Sequence, residues 1–241
     1  MGSFAGTTSG SRHDRGFCKE MSIEFVRLKE LLLEQVGRQL VQYGFSRRPR
    51  FQEFSKKTAF GRLGFHLSFI KHREDFDVKA DVAIRFDEVE ELVNTAKASL
   101  SSAERRNTYS LGADLENITG EGDKRWIITR LADVEPAAES IADSFRSVGI
   151  PYFEEYSDVE RVLQTLSSDA ERDWVHSPIR GERAMRAIAL AFVLGDRKRF
   201  SAISGAKTRL LTAHNDHQLR LFIKLRDQLK DRLTRQKAPQ K

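Results

Sequence analysis

Two stretches decide the fold: Leu63-Gly64-Phe65-His66-Leu67-Ser68-Phe69 and Phe76-Asp77-Val78-Lys79-Ala80-Asp81-Val82-Ala83-Ile84-Arg85-Phe86. In the first, large apolar residues alternate with Gly64, His66 and Ser68. In the second, Phe76, Val78, Ala80, Val82, Ile84 and Phe86 alternate with mostly polar neighbours. A period of two is the spacing of a strand with one buried and one wet face. The polar break Arg73-Glu74-Asp75 between them makes the pair an antiparallel hairpin.

Upstream, Phe25, Leu28, Leu32, Val36, Leu40 and Tyr43 keep a helical period from Ser22, with Gly44 placed to end the helix in a left-handed conformation. Arg47, Arg48 and Arg50 around Pro49 form a basic connection, and a weak strand is expected at 51–55. Downstream, Asp87 and Glu90 have the spacing of a capping box, opening a helix that buries Val89, Leu92, Val93, Ala96 and Leu100. Residues 101–107 read as a loop. Short strands follow at 109–115 and 125–129, joined by the turn Gly120-Glu121-Gly122-Asp123. Pro136 suits the first turn of a helix that Gly149 closes and Pro151 stops. Ser157 with Glu160 reads as another capping box, opening a helix with Val159, Val162, Leu163 and Leu166 inward.

The last part of the chain changes character. An apolar run from Ala184 to Leu194, between Gly181 and Gly195, suits a helix buried nearly all round. A second helix is expected around 197–211. A third starts near Asn215, with Gln218 as a capping pair, and carries Leu219, Phe222, Leu225, Leu229 and Leu233. The fold class is α+β: an antiparallel sheet of about four to five strands with helices on one face, plus a C-terminal helical bundle. Residues 1–20 read as a disordered leader or tag, 21–179 as the sheet domain, and 180–241 as three helices docked on it.

Charge is segregated within a net +6. Residues 86–179 hold 9 Lys/Arg against 20 Asp/Glu, residues 180–241 hold 16 against 5, and residues 44–85 hold 10 against 5. Either the basic helices dock on the acidic middle, or they present cations to phosphate. In the second case Arg197, Lys198, Arg199, Arg220 and Lys224 are the contact residues. Cys18 is the only cysteine, which excludes an internal disulfide and any cysteine-pair zinc site. No apolar run reaches membrane-spanning length and none has the form of a signal peptide, so a reducing cytoplasm is the expected compartment.

Signatures of chemistry are sparse. His214 and His217 are three apart with Asp216 between them, a spacing that suits one helical face but lacks a third ligand; capping or surface roles fit them better. His66 lies on the polar face of the hairpin, too far along the strand from His72 for a shared ligand. No G-x-S-x-G elbow and no Gly-rich phosphate loop occurs. Paired carboxylates are the acid–base candidates: Asp77 with Asp81, and Glu154 with Glu155.

The segment Tyr43-Gly44-Phe45-Ser46-Arg47-Arg48 after the first helix, the region 111–126, and Gly149-Ile150-Pro151-Tyr152-Phe153-Glu154-Glu155-Tyr156 together resemble a bacterial family, domain of unknown function 4304. The resemblance covers roughly residues 22–170. It implies a small cytosolic bacterial protein with a helix-flanked antiparallel sheet, and carries over no catalytic residue, cofactor or substrate.

The leading expectation is a non-enzymatic protein-binding or accessory module. It would engage an unknown protein partner through the sheet face or an exposed loop carrying Tyr152, Glu154, Glu155 and Tyr156. The first alternative is a nucleic-acid-associated protein using the basic C-terminal helices. The second is a small-molecule enzyme using paired carboxylates. No catalytic residue, metal or cofactor is assigned, and no membrane partner is expected.

Overall fold

The structure is a computed structural model that describes residues 13–235, with side chains from residue 24 onward except Pro49. Residues 1–12 of the expected leader lie outside the described residues. Helix α1 (His13–Leu40) begins before the periodic stretch that opens at Ser22. Its buried stripe is Leu28, Leu32, Leu33, Val36 and Leu40. A 3-10 turn (Val41–Tyr43) follows, and Gly44 closes it at φ 81°, donating its N–H to the Val41 carbonyl. That is the left-handed ending expected of a glycine here.

Strand β1 (Ser46–Arg48) and a 3-10 turn (Pro49–Phe51) precede β2 (Glu53–Thr58). The expected strand at 51–55 therefore starts later, because the turn uses Phe51 and Gln52 adopts a left-handed φ of 52°. Strands β3 (Gly61–Lys71) and β4 (Phe76–Phe86) form the expected hairpin. Leu63 faces Ile84, Phe65 faces Val82, and Leu67 faces Ala80. All six side chains are buried.

Helix α2 (Asp87–Ala96) leaves β4 directly. The expected capping box does not form: no side chain caps this helix, Asp87 bonds Arg85 at 2.5 Å, and Glu90 is fully buried. Residues expected as a loop contain α3 (Ser102–Arg106), which does have a capping box, between Ser101 and Glu104. Strand β5 (Leu111–Asp114), α4 (Leu115–Thr119) and β6 (Trp126–Ile128) come next. β5 and β6 do not pair with each other across the segment 120–123. Both lie antiparallel to β4, β5 along 81–84 and β6 along 76–78, because α4 carries the chain along that strand. The sheet thus has six antiparallel strands, in the order β1-β2-β3-β4-β5 with β6 beside β5 on the outer side of β4.

Helix α5 (Val134–Ser144) does not end at Gly149. It runs through a π-helical turn (Phe145–Gly149) into α6 (Ile150–Tyr156). Pro151 lacks an N–H, and its ring opposes the carbonyl four residues back. A locally wider turn accommodates both, so the proline is absorbed and does not end the helix. The turn delivers Phe145, with no exposed surface, into contact with the rings of Tyr43, Phe45, Phe65 and Phe153 at centroid distances of 5.0–6.3 Å.

Helix α7 (Val159–Ser167) is capped by Asp158, which accepts from the Glu160 N–H, and not by Ser157. The short α8 (Glu171–Trp174) leads to α9 (Arg180–Val193), α10 (Arg197–Ala213) and α11 (Leu219–Arg235). α9 is buried nearly all round, as its apolar run requires, and packs against α2, α7, α10 and α11. The C-terminal helices dock through α2 and α7, so sheet and bundle share one continuous core. The fold is α+β. No described helix is long and apolar enough to cross a membrane.

Charge bridges the two halves. Arg186 of α9 bonds Glu90 of α2 at 2.9 Å, and Lys97 bonds Glu182 at 2.6 Å. Glu90 sits in the core with this guanidinium as its cationic partner. Truncation by Glu90→Ala leaves the Arg186 guanidinium with Glu182 alone, at 3.3 Å, and is expected to lower stability by about 1–3 kcal/mol. A Glu90→Leu/Arg186→Leu double variant is expected to recover part of that loss, measured by urea unfolding. Phe145→Ala is expected to cost about 3–5 kcal/mol in the same assay, the range for emptying an aromatic core site.

Candidate functional site

The segment expected as an exposed aromatic–acidic loop is helical, and its aromatics point inward. Tyr152 is 3% and Tyr156 4% exposed, whereas Glu154 and Glu155 face solvent. Residues 150–156 repeat apolar side chains at helical spacing, which buries one face of α6 against the sheet and turns the carboxylates out. Tyr152 and Tyr156 are therefore not a protruding contact surface.

They form instead the floor of a cleft of about 590 Å³, together with His176. Its apolar walls include Ile118, Val148, Pro151 and Val175, and charged groups such as Glu155, Arg161 and Arg172 also line it. The segment after α8 supplies His176, anchored where the Gly112 N–H of β5 donates to the His176 carbonyl at 2.9 Å. The imidazole lies between two phenols: Nδ1 is 3.3 Å from the Tyr152 hydroxyl and Nε2 is 3.0 Å from that of Tyr156.

A neutral imidazole has one donor and one acceptor nitrogen. One tyrosine must therefore donate to the ring and the other accept from it, and the accepting hydroxyl keeps a proton for another partner. Burial pushes the His176 pKa below its ordinary value, against the pull of Asp173 and Glu155. Burial also raises Tyr152 well above the phenol range, and raises Tyr156 with help from the Glu155 charge. Near neutral pH the floor is thus an uncharged, hydrogen-bonded trio. At the rim, Arg161 bonds Glu155 at 2.7 Å and lies over the Tyr156 ring, while Arg172 is exposed with no acidic partner among the described residues.

The other expected acid–base groups do not converge. Asp77 accepts from Arg125 at 2.8 Å and sits 3.1 Å from His72; Asp81 is paired with His66 at 2.8 Å. Four residues along one strand separate the two carboxylates by about 13 Å. Glu154 and Glu155 are exposed, and Glu155 is tied to Arg161. His72, Asp75 and Asp77 bring ligand atoms within 4.8 Å of one another, yet the Arg125 guanidinium already supplies the positive charge there. His214 and His217 are exposed beyond the end of α10.

Among the expected phosphate contacts, Arg199 is already engaged, bonding Glu160 at 2.5 and 2.9 Å and Asp196 at 2.6 Å. Lys198, Arg220 and Lys224 are exposed, and Arg197 is half-buried; none of these four has an acidic partner among the described residues. Sequence reasoning missed His176. It lies in Trp174-Val175-His176-Ser177-Pro178, which carries no periodic signal, and becomes visible only once β5 and α6 are placed beside it.

Compared with known proteins, the chain matches no family model, no curated protein and no solved structure.

His176 makes the stability of the fold depend on pH. Its folded pKa lies below the 6.5 of a free imidazole, so the unfolded chain binds more protons as pH falls through that value, and stability drops with acidification. His66 runs the opposite way: burial lowers its pKa, but the bond and charge of Asp81 outweigh this and raise it, so its contribution fades as pH rises. In a His176→Gln variant the His66 effect is common to both proteins. The stability advantage of the wild type over this variant is expected to narrow between pH 7.5 and pH 5, followed by urea unfolding.

Proposed function

We propose that the protein is a non-enzymatic binding module whose cleft takes a short segment of a protein partner. The observation that carries this is the Tyr152–His176–Tyr156 floor, a rigid amphipathic surface at the base of an open cleft. Tyrosine suits such a role because it offers a large apolar face and a polar tip at low entropic cost. A binding role over a catalytic one is supported by the state of the titratable groups: both ring nitrogens of His176 are occupied, and Glu155, Asp77 and Asp81 are each held by a cation or a histidine. The apolar walls and the unpaired Arg172 fit a segment with an apolar anchor beside a carboxylate.

Kinship with domain of unknown function 4304 belongs to the same proposal. Phe45 and Phe153, from the first and last of the three motif segments, stack at a centroid distance of 5.5 Å. This contact supports treating the segments as one packing unit.

The test compares capture from nuclease-treated lysate by three full-length proteins. Ser147→Trp fills the cleft mouth from an exposed position, and Glu154→Lys alters the same region outside the cleft. Both are surface changes expected to keep stability within about 0.5 kcal/mol. A partner held by wild type and Glu154→Lys but lost by Ser147→Trp supports the cleft. Equal capture by all three rejects it.

A further inference from the structure

The second large concavity lies between α10 and α11 and offers about 600 Å³. Its floor combines Phe200, Leu233 and the small residues Ser201, Ser204 and Gly205 of α10, while Arg197, Arg226 and Lys230 stand along it. Small side chains on one helix keep the groove open where a bulkier face would close it.

The cations around it differ from those elsewhere in the bundle. Where the basic helices meet the acidic middle of the chain they are paired: Arg186 with Glu90, Arg199 with Glu160, and Lys207 with Asp169 at 2.7 Å. On the groove side, Arg197 and Lys230 have no acidic partner among the described residues, and Arg226 reaches its neighbour Asp227 and the Thr208 hydroxyl. Asp227 also lines the groove, whereas Arg232 and Arg235 face a separate hollow beside Thr95, and Arg220 and Lys224 lie outside the groove lining. The stretch of α11 that lines the groove, residues 226–234, spans about 12 Å, room for a short run of a linear ligand.

An independent observation comes from the floor. Ser204 is 7% exposed and its hydroxyl makes no hydrogen bond, although a buried helical serine would ordinarily bond the carbonyl four residues back. A buried polar group without a partner is costly in the free protein and is offset when a ligand supplies one.

We propose that this groove docks the phosphodiester backbone of a nucleic acid. Unpaired cations on both walls, Arg197 of α10 and Lys230 of α11, fit a polyanion that carries one charge per about 1.7 Å of duplex axis. The exposed face of the groove offers no aromatic platform, since Phe200 is buried, so backbone contact without base reading is expected. The inference is independent of the cleft reading, which uses no residue of α10 or α11.

The test is fluorescence anisotropy of the full chain with a labelled 20-base-pair DNA duplex, and separately with a 20-nucleotide RNA, at 50 and 200 mM KCl. Binding at 50 mM to at least one of the two, weakened at least tenfold at 200 mM, is expected. Arg197→Gln/Lys230→Gln should weaken it at least fivefold at 50 mM. Lys56→Gln/Lys57→Gln, the same charge change on exposed residues of β2, should leave it within twofold. Ser204→Ala should weaken binding two- to fivefold while leaving the melting temperature unchanged or higher, a split that a merely structural serine would not give. Thermal melts establish that each variant is folded. Absence of binding at 50 mM overturns the proposal, as does equal loss in the Lys56/Lys57 variant. Displacement of the oligonucleotide by polyglutamate at matched charge concentration overturns it in favour of an acidic-protein site.

Discussion

The packing of Phe145 sets the register on which the rest of the sheet domain depends. Four aromatic rings surround it, contributed by the first helix end, the central hairpin and α6. The π-helical turn is the backbone adjustment that lets α5 continue past this contact and past Pro151 in one direction. With Phe145 fixed against the strands, Tyr152, Phe153 and Tyr156 fall on the buried face of the continuing helix, and Glu154 and Glu155 cannot. The cleft floor is a downstream product of that register: His176 meets two hydroxyls because the helix presents them one turn apart, with the rings 4.6 Å apart.

Electrostatics divides the C-terminal helices by what they face. Arginine and lysine side chains directed at α2, α7 and the segment after α7 are matched by carboxylates or carbonyls. Arg183 is the extreme case, almost fully buried and donating to the carbonyls of Thr165, Ser168 and Asp173. Burial depresses its pKa, but an arginine stays charged in such a site, so those carbonyl bonds carry the compensation. The segregated charge is thus divided in space: carboxylates of the acidic middle pair with the cations that face them, and the remaining cations are left to solvent.

Where a residue's fate is set by its own periodicity, the sequence is readable. The hairpin, the stripe of α1, the left-handed Gly44 and the all-round burial of α9 follow from spacing and steric rules alone. The misreadings share a physical cause, competition between a local signal and a tertiary one. Gly149 and Pro151 are strong stop signals, yet the packing of Phe145 and Phe153 outweighs them. Glu90 has the spacing of a cap but is drawn into the core by Arg186. The aromatic–acidic run 152–156 looked like an exposed patch because tyrosine and glutamate tolerate water; helical phase, not composition, separates its two faces. His176 had no legible signal, since its partners arrive from a helix some 20 residues away. The groove was half legible, as charge without geometry.

The way the sheet ends has a consequence for the behaviour of the chain in a crowded solution. β3 and β4 are its longest and most apolar strands, and a free edge on either would template association with another molecule. That edge is largely covered: β2 pairs with Gly61–His66 of β3 and leaves the end of the strand, Ser68–Lys71, without a β2 partner, while β5 and β6 share the far side of β4 and leave only Lys79 and Ala80 between them. At the opposite border β1 spans three residues, and the stretch of β2 beyond it reads Lys56-Lys57-Thr58. An incoming strand at this border would meet lysines and a run too short to pair with, and the uncovered end of β3 is four residues long and closes on Lys71, so neither offers a long apolar template.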